Sequence, residues 1–102
     1  MHYPELNLLI GGRAVPTGNR PGLEVMDPAT LAVLGRVPVA APDDIDEALE
    51  AARRSFPGWR DTPPLERAAI LRRAASLMRE RTPLLAWLIT RELGKPLAES
   101  EK

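Results

Sequence analysis

The spacing of apolar residues changes character near Ala41. Before that point short apolar runs alternate with glycine and proline, and β-branched residues favour strands and turns. Residues 6–10 and 13–15 flank Gly11-Gly12, and two glycines between apolar runs predict a two-residue hairpin turn in which both central positions take positive φ. The loop over residues 16–22 holds two glycines and two prolines and is expected to be exposed. A second hairpin is predicted from residues 23–26 pairing with residues 33–37. Asp27-Pro28-Ala29-Thr30 supplies its turn, since Pro28 fixes φ and Asp27 can accept from the following backbone.

After Ala41 the chain is rich in Ala, Leu, Arg and Glu, and the apolar period lengthens to that of a helix. Pro42-Asp43-Asp44 suits a helix start, where proline loses no bond and carboxylates face the positive end of the dipole. Ile45, Ala48, Leu49, Ala52 and Phe56 give this helix its apolar side, and Pro57-Gly58 is read as its end. Thr62 is the expected cap of a second helix that begins at Pro63-Pro64 and runs to about Arg81. Thr82-Pro83 opens a third, which Gly94-Lys95-Pro96 stops. Residues 97–102 read as the beginning of an element that breaks off.

The helix faces carry a further message. At roughly 100° per residue the second helix gathers Ala68, Ile70, Leu71, Ala74, Ala75, Leu77 and Met78 on one half and Arg72, Arg73, Ser76, Arg79 and Glu80 on the other. The third is apolar nearly all round, broken only by Thr90, Arg91 and Glu92. Such a helix needs neighbours on several sides, more than three helices and two hairpins supply. The pattern is that of one part of a larger core.

Composition narrows the function classes. The chain has 102 residues, 44% of them hydrophobic and 27% charged, which is the composition of a globular protein. Its 14 Lys plus Arg balance 14 Asp plus Glu, so no net field draws it to nucleic acid or to a membrane. Eight arginines between Ala51 and Thr82 face only three acids, but no aromatic side chains interleave with them to stack on bases. They are read as a solvated or ion-paired helix face. There is no cysteine, hence no thiol nucleophile or thiolate ligand. The single histidine, His2, sits at the terminus. Asp43, Asp44, Asp46, Glu47 and Glu50 are explained as solvated, dipole-complementing residues of a first helical turn. Gly94-Lys95 lacks the earlier glycine and the following Ser or Thr of a phosphate loop. No catalytic, cofactor-binding or metal-ligating residue is therefore assigned, and the chain is expected to be inactive alone. The N-terminus has no basic, then apolar, signal pattern, and the longest apolar run, residues 84–89, is too short for a membrane span. A cytoplasmic location is expected.

Taken in order, several segments resemble one family. Leu9-Ile10-Gly11-Gly12-Arg13, Val25-Met26-Asp27-Pro28-Ala29-Thr30 and Val33-Leu34-Gly35-Arg36-Val37-Pro38 are similar to the opening of NAD(P)-dependent aldehyde dehydrogenases. So are Asp43-Asp44-Ile45-Asp46-Glu47-Ala48, Ser55-Phe56-Pro57-Gly58-Trp59, Glu66-Arg67-Ala68-Ala69 and Glu92-Leu93-Gly94-Lys95-Pro96-Leu97. The residues near both ends look most like the succinate-semialdehyde dehydrogenase branch. One departure stands out, because Leu31 replaces the glycine that usually follows the Pro-Ala-Thr turn.

The resemblance implies an α/β fold of aldehyde dehydrogenase type. Two short hairpins and loops over residues 1–41 and helices over residues 42–102 would form an incomplete N-terminal portion of the cofactor-binding domain, packed on a Rossmann-like sheet. Family members oxidise aldehydes to acids, using a cysteine thiolate, a water-activating glutamate and an oxyanion site. In the family's order all of these, with the NAD or NADP site, lie beyond Lys102. The resemblance also implies a partner, either the remainder of the enzyme or a full-length relative in a homo-oligomer. The rival expectation is a stand-alone helical module that binds a protein through its exposed apolar faces.

Overall fold

The structure is a computed structural model that describes all 102 residues. In chain order it contains β1 (Leu8–Ile10), β2 (Arg13–Val15), β3 (Gly22–Met26), β4 (Val33–Pro38), α1 (Pro42–Asp61), α2 (Pro64–Glu80), α3 (Thr82–Leu93) and the single turn α4 (Leu97–Ser100). These residues form two compact units. One comprises Pro4–Val25 and Val33–Asp61, the other Met1–Tyr3, Met26–Ala32 and Thr62–Lys102.

In the first unit β1 and β2 pair antiparallel, with Leu8 opposite Val15 and Ile10 opposite Arg13. The register follows from the turn, where Gly11 and Gly12 take φ of 57° and 77°, the left-handed pair that a two-residue hairpin requires. Ile10 faces inward and is buried, whereas its neighbour Leu9 faces solvent. The turn lies on α1, since a Cβ on Gly11 would stand 3.7 Å from the Ala51 Cβ. β3 and β4 pair as a second two-stranded sheet. A Cβ on Gly22 would come within 2.6 Å of the exposed Arg36 side chain, which would have to move aside.

α1 starts where its sequence predicts and ends later. Ala41 precedes its first residue, and Ile45 donates its backbone N–H to the Ala41 carbonyl at 3.2 Å. The helix then runs through Pro57 and Gly58 to Asp61. A proline removes one amide donor, and a helix that is already nucleated can lose that bond without losing the turns beyond it.

The second unit is helical. α2 and α3 are separated by a single residue, Arg81, at φ −101° and ψ 9°. Pro63, not Thr62, stands at the start of α2, and no side-chain cap hydrogen bond is made there. α3 stops as expected at Gly94, whose left-handed φ of 69° lets its N–H reach the Thr90 carbonyl at 2.9 Å. Residues 97–100 begin a further helical turn. α4 packs on α3, and the Thr90 and Ser100 hydroxyls lie 3.1 Å apart. Ala86 of α3 is the only apolar residue of this unit that is fully covered.

The residues 26–32 carry the turn of the second hairpin. Asp27 donates its N–H to the Ala32 carbonyl at 2.9 Å, and Leu31 donates its N–H to the Asp27 carbonyl at 2.8 Å. Leu31 takes φ of 59°, so the turn keeps the left-handed geometry although a side chain occupies the position. That conformation costs a non-glycine residue about 1–2 kcal/mol.

Apolar side chains are poorly covered in both units. Only Ile10 and Ala86 are buried among the large core-forming types and alanine, while Leu9, Leu49, Phe56, Leu65, Leu71, Met78 and Leu93 are exposed. The accessible surface is 7826 Å². A compact chain of 11.2 kDa exposes about 5,700 Å², and two separate compact bodies of half that mass roughly 6,900 Å². The excess is surface that a self-sufficient fold would cover.

Leu31→Gly should raise stability by about 0.5–1 kcal/mol, because relief of the left-handed strain exceeds the entropy cost of glycine. Thermal denaturation checks this: the midpoint should rise by several degrees, whereas Leu31→Ala, which keeps the strain, should not raise it.

Candidate functional site

Each unit is organised around one buried carboxylate. In the first, Asp44 occupies the third helical position of α1 and is 6% exposed. Its Oδ2 accepts the Ala41 N–H at 2.8 Å, satisfying a donor left free at the helix start. The Arg20 guanidinium grips the same carboxylate with both branches, Nε to Oδ2 at 2.8 Å and Nη2 to Oδ1 at 2.7 Å. Asp44 is thus not a solvated first-turn acid. The Arg20 hydrogen bonds, followed by the one from Ala41, hold its pKa at about 2, against the opposing effect of burial. Arg20, expected in an exposed loop, becomes half-buried and ties residues 16–22 to the helix start. Of the other predicted first-turn acids, Asp43, Asp46 and Glu47 are exposed, and Glu47 pairs with Arg13.

In the second unit Asp27 is 3% exposed. Its Oδ1 accepts the N–H groups of Ala29 and Thr30 at 2.8 and 3.3 Å, the backbone contacts its sequence position predicts. Its Oδ2 forms an ion pair with Arg91 Nη1 of α3 at 2.9 Å, a link with no signature in the sequence. The neighbouring Glu92 accepts a hydrogen bond of 2.6 Å from the Tyr3 hydroxyl. Burial first, and then the bond to Glu92, raises the Tyr3 pKa to about 12.

Two other concavities are lined largely by apolar surface. In the first unit a cleft of about 360 Å³ runs between β1 and α1, walled by Leu8, Leu9, Ile45 and Leu49 over Ala48. In the second, a depression of about 270 Å³ lies among Met78, Leu85, Ala86 and Ile89, with Ser100 at its rim. No three His, Cys, Asp or Glu side chains converge on a common point. His2 is exposed at the terminus.

The helix starts do not suit a dinucleotide pyrophosphate. Such a group needs free N–H groups at a helix N-terminus behind a glycine-rich loop. α1 begins with Pro42 and has its first donor taken by the Asp44 carboxylate, whose charge repels phosphate. α2 and α3 each carry proline in their first positions, and Gly11-Gly12 joins two strands of one hairpin. None of these helix starts offers that arrangement.

The aldehyde dehydrogenase family profile matches residues 15–102. The chain belongs to the aldehyde dehydrogenase family. It is 40% identical over 98 residues to the human mitochondrial acylating methylmalonate-semialdehyde/malonate-semialdehyde dehydrogenase, covering 96% of this chain and 18% of that enzyme. It is 42% identical over 93 residues to the NADP(+) succinate-semialdehyde dehydrogenase of Escherichia coli, covering 91% of this chain and 19% of that enzyme. The crystal structure of succinate-semialdehyde dehydrogenase from Burkholderia pseudomallei superposes with a TM-score of 0.88 at 41% identity, over 94% of this chain and 20% of that one.

The chain therefore spans about a fifth of the length of the curated relatives it matches, in their N-terminal portion. Its two hairpins and helices are those of an aldehyde dehydrogenase N-terminal segment, as the sequence order predicts. The matches at 40% and 42% carry different semialdehydes in their names, so this segment does not single out the succinate branch.

Acid titration tests the first carboxylate. Asp44 has a folded pKa depressed below the ordinary value near 4, so its stabilising effect is complete above that value and is lost as pH falls toward about 2. Circular dichroism should show stability dropping across this window, and Asp44→Asn should be less stable at pH 7 with a flatter acid limb. For the second carboxylate, Asp27→Ala should lower stability by about 2 kcal/mol, since it strands Arg91 and two backbone donors. In a double-mutant cycle, Arg91→Ala should add little to that loss.

Proposed function

We propose that this chain is the N-terminal scaffold of an NAD(P)-dependent aldehyde dehydrogenase, which converts an aldehyde to a carboxylic acid with hydride transfer to the nicotinamide. In this reading the chain contributes no reacting group. The observation that carries it is the mismatch between a family-wide fold match and an uncovered interior: large apolar residues on α2 and α3, among them Ile70, Leu71, Met78 and Leu93, lie exposed. Those helices would pack on the sheet of the cofactor domain, with residues 1–41 and 42–102 as one incomplete portion of it. NAD or NADP would bind on that sheet, outside the residues described. NAD is named with one solved relative and NADP(+) with a curated one, which supports the cofactor class and leaves the choice open to either nucleotide.

The partner in this reading is the remainder of the enzyme. A cytoplasmic location fits the chain, in which no helix is long and apolar enough to cross a membrane. One curated relative is described as mitochondrial.

Reconstitution tests the reading. The purified chain should reduce neither NAD nor NADP with succinate semialdehyde or methylmalonate semialdehyde, measured at 340 nm. Mixed with an aldehyde dehydrogenase lacking its own first fifth, it should restore turnover and a soluble complex. Leu71→Lys with Ile70→Lys should block that rescue. Turnover by the chain alone, or no association with the shortened enzyme, would overturn the proposal.

A further inference from the structure

We draw no further inference here: the strongest candidate, the apolar cleft between β1 and α1 walled by Leu8, Leu9, Ile45 and Leu49, carries none, because nothing in the structure shows what covers it.

Discussion

Two carboxylates taken out of water set the terms for the rest of this structure. A buried charge is tolerated only when its oxygens find donors, and Asp44 and Asp27 each meet both backbone N–H groups and an arginine. Asp44 therefore does more than begin a helix. By holding Arg20 it fixes the loop that leads from the first hairpin into β3. Asp27 in turn fixes the tip of the second hairpin, and through Arg91 joins that tip to α3. With so little apolar burial in either unit, these polar nodes specify geometry that packing alone would leave loose.

The shortage of core accords with the share of its relatives that the chain spans. A chain spanning a fifth of its relatives' length carries helices whose apolar faces match a larger interior. Ile70, Leu71 and Leu93 of these helices, like the apolar stripe on α1, are exposed. A zero net charge and proline-blocked helix starts argue in the same direction. Several faces of these helices can bury hydrocarbon.

Leu31 shows how firmly the turn is held. The position takes a left-handed φ with a branched side chain, where glycine would be unstrained. The side chain itself is exposed, so its packing does not compensate. The Asp27 carboxylate and the two backbone bonds across the turn hold the conformation instead.

Much of the local structure was legible in the residues themselves. Gly11-Gly12 announced the first hairpin, Asp27-Pro28 the turn of the second, and Thr82-Pro83 and Gly94 the limits of α3, because each of these depends on backbone preferences of neighbouring residues. The apolar excess on α2 and α3 was legible as well, since helical periodicity needs no tertiary information. Pro57-Gly58 misled, because a local stop signal competes with a helix already formed. Thr62 and Asp44 were assigned roles by position, yet Pro63 took the start of α2 and Arg20 took Asp44 out of solvent. The pairs Arg20–Asp44, Arg91–Asp27 and Tyr3–Glu92 join residues far apart in the chain. No periodicity encodes such a contact; only the folded path of the chain, which sets which charges lose their water together, could decide them.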